Sequence, residues 1–125
     1  MQKSKVKNKK IVKNIIEMFT NNNHGSYLDY LAKDIKWNIV GMPLICGKNE
    51  FIETVNSLEL ENFKSTKIKN IISEGEFVVV ESVGNVNVKT NNSNTPAYCD
   101  IYRIKEGKIC ELTTYIIDTT SNNDN

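Results

Sequence analysis

The sequence has few of the side chains that bind transition metals, because its 125 residues include one histidine and three cysteines. Cys46, Cys99 and Cys110 are odd in number and show no C-x-x-C spacing, so neither a zinc site nor a disulfide framework is indicated. The phosphate-loop motif G-x-x-x-x-G-K-S/T and the dinucleotide motif G-x-G-x-x-G are absent as well. We therefore predict a protein with no metal site and no cofactor.

His24 is the single imidazole, so any nucleophile–histidine pair would have to use it. It follows a predicted helix in an asparagine-rich loop, and no local signature of a serine or cysteine triad accompanies it. Two interpretations remain open: a solvated loop residue, or an acid–base group at the mouth of a pocket.

Excess charge and long apolar runs are also absent. The formal net charge is +1, whereas a dedicated nucleic-acid binder carries a strongly basic face. No apolar run approaches the roughly 18 residues of a membrane span, and no signal-peptide core is present. We therefore expect a cytoplasmic protein that binds neither nucleic acid nor membrane. The lysines between Lys3 and Lys13 form either the solvated start of a helix or a phosphate-binding arm.

The length suits one domain, which we assign to residues 1–118, with a disordered tail over 119–125. Helical spacing predicts three helices, over about 6–21, from Ser26, and after Gly47. Period-two alternation predicts strands from Asp34, around 66–72, over 77–89, and in a final hairpin over 97–115. Helices followed by an antiparallel meander indicate an α+β fold, in which a curved antiparallel or mixed sheet wraps around about three N-terminal helices.

The final hairpin is the most informative segment, and Lys105, Glu106 and Gly107 lie at its turn. We predict a three-residue turn with Gly107 in the bulge position, which pairs Asp100 with Leu112. A two-residue turn would shift the register by one residue. The predicted inner face carries Tyr98, Asp100, Tyr102, Cys110, Leu112, Thr114 and Ile116. The predicted outer face carries Cys99, Ile101, Arg103, Ile109, Glu111, Thr113 and Tyr115.

The outer face of this hairpin is fairly apolar, since it includes Ile101, Ile109 and Tyr115. An antiparallel sheet usually exposes a polar second face, so we predict that a second copy covers this one in a homodimer. The same register places Cys99 and Cys110 on opposite faces, where they cannot form a disulfide.

Three strings carry a family resemblance: YLAKDIKW at residues 30–37, GKNEFI at 47–52 and GKICE at 107–111. With the order of elements, they resemble the cone-shaped superfamily of nuclear transport factor two, ketosteroid isomerase, limonene epoxide hydrolase and the SnoaL-like polyketide cyclases. The resemblance extends over about residues 8–118 and implies a cystatin-like fold. It implies no single activity, because this superfamily includes enzymes, binding proteins and assembly modules. The family commonly has one residue between Tyr and Asp near the end, where this chain has Ile116 and Ile117, so Asp118 receives no role.

The resemblance carries over only part of the known catalytic sets. In ketosteroid isomerases an aspartate on the penultimate strand donates a hydrogen bond to the developing enolate, and Asp100 matches that position. The carboxylate base and the tyrosine donor of those enzymes correspond here to Ile39 and Ile15. The arginine–aspartate pair and the second aspartate of the epoxide hydrolases correspond here to Ser82, Gly84 and Thr114, so the resemblance does not support that chemistry.

Asp100 is the strongest candidate for chemistry on physical grounds. A carboxyl group facing apolar surroundings resists ionisation, so its pKa rises, and it can then act as general acid or base or donate to an oxyanion. The alternative is a carboxylate that bonds Tyr98, Tyr102 or a trapped water and serves the fold alone. We predict a ligand-binding wall of Trp37, Tyr98, Tyr102, Leu112 and Thr114, and core packing is the alternative role of its aromatic members.

Three functions are consistent with these residues. The first is a small-molecule-binding SnoaL-like protein, a cofactor-free isomerase, cyclase or hydrolase that acts on an apolar carbonyl compound through Asp100. The second is a non-catalytic carrier or sensor that uses the same pocket. The third is an assembly module that dimerises through its sheet. A cavity of several hundred cubic ångströms that holds Asp100 and a second titratable or donor group favours an enzyme. A cavity with Asp100 alone favours a binding protein, and the absence of a cavity favours an assembly module.

Overall fold

The computed structural model describes residues 2–20, 27–57, 67–84 and 97–117. These residues form one curved mixed sheet of six strands with two α-helices, which confirms the predicted α+β fold. The elements in chain order are α1 (Gln2–Thr20), a 3-10 helix (Leu28–Tyr30), β1 (Leu31–Ile39), β2 (Ile45–Cys46), α2 (Gly47–Ser57), β3 (Lys67–Glu74), β4 (Phe77–Val83), β5 (Ala97–Lys105) and β6 (Lys108–Ile117).

The strands lie in the order β2-β1-β6-β5-β4-β3. β1 is parallel to β6, and every other neighbouring pair is antiparallel. The chain from β3 to β6 is the predicted meander. The pairing of β1 with β6 brings strands that are far apart in the chain side by side, so side chains from both contribute to one surface.

Both helices pack on the same face of the sheet, which we call the inner face; the opposite one is the outer face. α1 contacts β3 and β4, and α2 contacts β1. Ile11, Val12 and Ile15 of α1 and Phe51 and Val55 of α2 are buried, as their helical spacing predicts. The core consists of Ile11, Val12, Ile15, Tyr27, Leu31, Ile35, Trp37, Ile39, Phe51, Val55, Val78, Val80, Tyr102, Ile104, Ile109 and Leu112.

The short helix predicted from Ser26 is a 3-10 helix over Leu28–Tyr30. Leu31, predicted to belong to it, has an extended backbone with φ −96° and ψ 137°. Leu31 pairs with Ile109 of β6, so the parallel pairing begins there and ends the helix. The first strand consequently starts three residues earlier than predicted.

The β5–β6 turn has two residues, because Lys105 pairs with Lys108 and only Glu106 and Gly107 lie between them. Their φ values are 52° and 79°, and a type I′ turn requires positive φ at both central residues. The predicted three-residue turn is therefore wrong. The twist of a type I′ turn matches that of the flanking strands, and this match outweighs the cost of a left-handed glutamate.

A bulge follows the turn, because Ile104 pairs with Ile109 but Arg103 pairs with Glu111, which leaves Cys110 as an extra residue. The predicted partners are therefore displaced by two residues, and Asp100 pairs with Thr114. Since side chains alternate with period two, a shift of two preserves the faces. The inner face keeps Tyr98, Asp100, Tyr102, Leu112, Thr114 and Ile116.

Ile109 and Cys110 are the two residues that this register assigns differently from the prediction. Ile109, expected on the outer face, is buried in the core. Cys110, expected on the inner face, is half-buried at the bulge with its Sγ 3.5 Å from the Arg103 carbonyl oxygen. Cys99 pairs with Tyr115, five residues along β6 from Cys110, a separation too long for a disulfide.

Several predicted features lie outside the described residues. They are Ser26, at which the second helix was predicted to begin, His24, the part of the long strand beyond residue 84, Asp118 and the tail 119–125. Within the described part of the chain, no helix is long and apolar enough to cross a membrane.

Candidate functional site

Asp100 lies in the middle of β5 on the inner face of the sheet. It pairs with Val80 of β4 on one side and with Thr114 of β6 on the other. Alternation along β5 places Tyr98 and Tyr102 on the same face, two residues away in each direction. The carboxyl group is therefore half-buried among side chains that are mainly apolar or aromatic.

Two consecutive hydrogen bonds end at Asp100. The indole Nε1–H of Trp37 donates to Thr114 Oγ1 over 2.9 Å, and Thr114 Oγ1 donates to Asp100 Oδ1 over 2.7 Å. Trp37 and Thr114 are each only 7% exposed. Three of the predicted site residues thus meet in one network, which we call the Trp37–Thr114–Asp100 relay.

The chemistry of the three groups sets the direction of the relay. An indole N–H donates and never accepts, and an ionised carboxylate only accepts. The Thr114 oxygen therefore accepts from Trp37, and its single proton points to Asp100 Oδ1. Among the described residues no hydrogen bond to Asp100 Oδ2 is found.

The surroundings of Asp100 shift its pKa toward neutrality. Burial raises the pKa from its ordinary 3.8 to about 6, while the hydrogen bond from Thr114 favours the charged form and lowers it in part. The carboxyl group therefore changes between proton donor and proton acceptor near physiological pH. Burial, with the Asp100 charge, also raises the pKa of Tyr98 and of Tyr102 above 10.0, so both phenols keep their protons.

Phe51 of α2 supports the Trp37 end of the relay. Its ring centroid lies 4.6 Å from that of Trp37 at an angle of 32°, and 5.9 Å from that of Tyr27. Helical spacing predicted Phe51 as a core residue but not this contact, because spacing within one helix gives no information about the strand it covers. The contact with Phe51 holds the indole in the orientation that its hydrogen bond to Thr114 requires.

The remaining predicted wall residues differ in accessibility. Tyr102 and Leu112 pair with each other and are 6% and 7% exposed. In the opposite direction Tyr98 is half-buried, and its partner Ile116 is 55% exposed. Along the inner faces of β5 and β6, exposure therefore rises with distance from their turn.

Ser82 is a polar inner-face residue that sequence reasoning did not place in the site. It is 4% exposed and pairs with Tyr98. The resemblance treated Ser82 only as a position that lacks the charged residue of an epoxide hydrolase. The sequence did contain a sign of its placement. Ser82 follows Val78 and Val80 at period two, and this alternation places it on the apolar inner face of β4.

A shallow, open groove of about 630 Å³ lies elsewhere on the surface. It is lined by Lys33, Asp34, Lys36, Cys46 and Gly47, and it does not include Asp100. In residues 2–20, 27–57, 67–84 and 97–117, no three His, Cys, Asp or Glu side chains are grouped as ligands for a metal ion.

The sequence matches a family model described as a SnoaL-like domain over residues 12–112. No curated protein gives a significant match. An NTF2-like protein of unknown function from Cytophaga hutchinsonii is similar in structure, with a TM-score of 0.69 and 24% identity, over 87% of this chain and 98% of that chain.

Two named enzymes share the fold at lower identity. An LEH-like epoxide hydrolase from M. tuberculosis gives a TM-score of 0.67 and 17% identity, over 90% of this chain and 84% of that one. SalBIII is an epoxide hydrolase/cyclase-like enzyme with a role in pyran ring formation in the polyether salinomycin. It gives a TM-score of 0.73 and 18% identity, over 93% of this chain and 94% of that one. Similarity at this level of identity concerns the fold.

Proposed function

The chain belongs to the SnoaL-like domain family, and we propose that it binds an apolar carbonyl compound on the inner face of its sheet and acts on it without a cofactor, as an isomerase, cyclase or hydrolase. The observation that carries this proposal is the Trp37–Thr114–Asp100 relay, which leaves Asp100 Oδ2 for the ligand. A protonated carboxyl group donates to a carbonyl oxygen, and an ionised one removes a proton.

The surroundings of Asp100 support an apolar ligand. The neighbouring inner-face side chains Trp37, Val80 and Leu112 are apolar members of the buried core. A compound that reaches Asp100 therefore enters carbon-rich surroundings, which suit a ligand with few polar groups. Two of the similar structures are named as an epoxide hydrolase and an epoxide hydrolase/cyclase-like enzyme. We extend only the cyclase reaction to this chain, because Ser82, Gly84 and Thr114 stand where an epoxide hydrolase has its charged catalytic residues.

The proposed chemistry uses a single ionisable group. Ile15 and Ile39, which match the remaining catalytic positions of ketosteroid isomerase, are 2% and 8% exposed and belong to the core. Neither transfers a proton, so Asp100 serves as both acid and base within one cycle. A non-catalytic carrier or sensor is the second candidate, and the lack of a partner base at these two positions favours it.

The binding step is tested with 2-acetylnaphthalene, a flat ketone, and with naphthalene, which lacks the carbonyl oxygen. Equilibrium dialysis should show the ketone binding at least threefold more tightly at pH 5 than at pH 7.5, because protonated Asp100 donates to it. Naphthalene should bind with the same affinity at both pH values. Asp100→Asn keeps a donor but does not titrate, so its affinity for the ketone should be independent of pH.

Asp34→Asn is the matched control, since Asp34 is an exposed aspartate that lines the surface groove. It should leave ketone binding and its pH dependence unchanged. A pH-independent affinity in the unaltered protein would refute the role of Asp100 in binding. To separate enzyme from carrier, a ligand that co-purifies in native mass spectrometry is incubated with the protein and with Asp100→Asn. A change in its mass or chromatographic retention with the unaltered protein alone indicates an enzyme.

We also propose that the outer face of the sheet binds a second copy of the chain. One row across β3–β6 is apolar at its centre: Ile72 pairs with Val79, which pairs with Ile101, which pairs with Thr113. The adjacent rows contain acidic and basic groups, including the Lys69–Glu81 and Arg103–Glu111 pairs at 4.0 and 3.6 Å. An apolar centre with a rim of both signs is self-complementary across a two-fold axis.

Ile101→Asp tests this pairing, because Ile101 is central to the apolar row. Native mass spectrometry should show a dimer for the unaltered protein and a monomer for this variant. Leu44→Asp is the control, since Leu44 is 51% exposed in the β1–β2 connection, away from that row, and it should remain dimeric. A monomeric unaltered protein would contradict the proposal.

A further inference from the structure

We propose that Trp37 and Thr114 are positioning residues that hold the proton of neutral Asp100 on Oδ2, and that the indole of Trp37 therefore senses whether Asp100 is protonated. The catalytic use of that proton rests on the function proposed above. The relay itself exists without a ligand, so it can be tested separately.

The relay depends on the parallel register of β1 and β6. Trp37 pairs with Leu112 and Ile39 pairs with Thr114, so the indole reaches Thr114 diagonally on the inner face. Contact with Phe51 limits other orientations of the ring. Because a buried indole N–H needs an acceptor, Thr114 Oγ1 has one of its lone pairs permanently engaged.

The position of the Asp100 proton follows from the hydroxyl hydrogen of Thr114. If protonated Oδ1 donated to Thr114, that hydrogen would have to find another acceptor, and none is found among the described residues. Thr114 is 7% exposed, and a buried donor without a partner is disfavoured. The hydroxyl therefore donates to Oδ1 in both states of Asp100, and the carboxyl proton resides on Oδ2.

The charge of Asp100 consequently changes the strength of both bonds. An ionised carboxylate is a stronger acceptor than a neutral carboxyl, so it polarises the Thr114 hydroxyl, which then accepts more strongly from Trp37. The chain contains one tryptophan. Its indole gives a single proton–nitrogen NMR signal, and a change at that signal reports directly on Asp100.

The described titratable neighbours of Asp100 on β5 keep their protons between pH 4 and pH 8. Tyr98 and Tyr102 share its face of β5, and Cys99 lies beside it on the outer face; burial is the largest cause of a raised pKa in all three. The facing residues of the adjacent strands, Val80 and Thr114, carry no charge. Glu81 of β4 is exposed on the outer face, where it contacts Lys69.

The experiment follows the Trp37 indole signal and the Asp100 side-chain carboxyl carbon of the same sample between pH 4 and pH 8, without ligand. Both should titrate with one shared midpoint. Asp100→Asn should abolish the indole titration. Thr114→Val should abolish it too, and should raise the Asp100 midpoint by about 1 pH unit, because the hydrogen bond that favours the ionised form is lost.

Two variants serve as controls for this titration. Thr114→Ser retains the hydroxyl and should restore the shared midpoint, which a purely steric role of Thr114 would not predict. His24→Asn removes the only imidazole, the other group expected to titrate near pH 6, and should leave the indole titration intact.

Either of two results would overturn the relay. One is an indole titration that persists in Asp100→Asn; the other is a Thr114→Val variant in which the indole and Asp100 still titrate together. Failure of the ketone to bind in a pH-dependent way, with the shared titration intact, would refute the proposed function and leave the relay standing.

Discussion

The two faces of β5 place acidic groups in opposite situations. On the inner face Asp100 accepts one hydrogen bond from Thr114, and burial raises its pKa to about 6. On the outer face Glu76 and Glu111 lie 3.0 and 3.6 Å from the Arg103 guanidinium and are about half exposed. One sheet thickness therefore separates a carboxyl group that resists ionisation from carboxylates that pair with a cation at the surface.

The difference shows that accessibility, more than residue type, decides what a carboxyl group does. Charge on the outer face is stabilised by water and by a mobile counter-charge, so such ion pairs contribute little to folding. An ionised Asp100 on the inner face loses its hydration and gains one hydrogen bond from a hydroxyl group. That bond compensates only in part for the lost hydration. The inner face is for that reason the one suited to proton transfer.

The largest loss of stability should come from adding a carboxylate to the inner face, compared with adding one to the outer face. Val80→Asp adds one beside Asp100 at a position 1% exposed, and urea unfolding should show a loss of about 4 kcal/mol or more, or no folded protein. Ile101→Asp adds one to the outer face. It should lower stability only through lost association, so at low protein concentration it should unfold like the unaltered protein.

Comparable losses in both variants would contradict this contrast between the faces. Circular dichroism before unfolding distinguishes a destabilised Val80→Asp protein from one that never folds, and both count as the expected large effect.

The second-largest effect is the contribution of Asp100 to the pH dependence of the free energy of unfolding. Its pKa is about 6 in the folded protein and 3.8 ordinarily, so between about pH 4 and pH 6 the folded state binds more protons than the unfolded state. The free energy of unfolding therefore falls as pH rises through this window, by about 2–3 kcal/mol in total.

Asp100→Asn should remove this component. Chemical unfolding at intervals from pH 4 to pH 7.5 should show the variant gaining stability relative to the unaltered protein as pH rises. Glu111→Gln, on the outer face, should show no such gain. A constant difference between Asp100→Asn and the unaltered protein across this range would mean that Asp100 has an ordinary pKa.

The smallest effect concerns the outer-face ion pairs. Arg103→Gln removes the contacts with Glu76 and Glu111 and the approach of the guanidinium to Phe77. Because the side chain is a third exposed, the loss of stability should be the smallest of the three effects and should shrink further at high salt. Lys105→Gln, an exposed cation at the end of the same strand, is the control. A loss as large as that of Val80→Asp would mean that Arg103 lies in the buried centre of the dimer contact and not at its rim.

Much of the fold followed from periodicity. Ile11 and Ile15 on α1 and Phe51 and Val55 on α2 are buried as their spacing predicts, because an amphipathic helix has one face to bury. The inner-face membership of Tyr98, Asp100 and Tyr102 also followed, since alternation along a strand does not depend on its partner.

The hairpin register did not follow from the sequence. The rule that a glycine in third place indicates a three-residue turn gave way to a type I′ turn at Glu106 and Gly107. The bulge at Cys110 then added a second shift. The position of a bulge depends on strand twist, core packing and strand pairing together, and no local sequence pattern around Cys110 predicts it.

The sequence by itself determined that a carboxyl group at Asp100 shares an apolar strand face with aromatic neighbours, because alternation is a local property of the backbone. Only the tertiary structure decided what that carboxyl group contacts. Trp37 and Thr114 are 77 residues apart in the chain, and they meet because β1 runs parallel to β6. That long-range pairing and the two-residue displacement of the hairpin brought the indole, the hydroxyl and the carboxyl group into one line of hydrogen bonds.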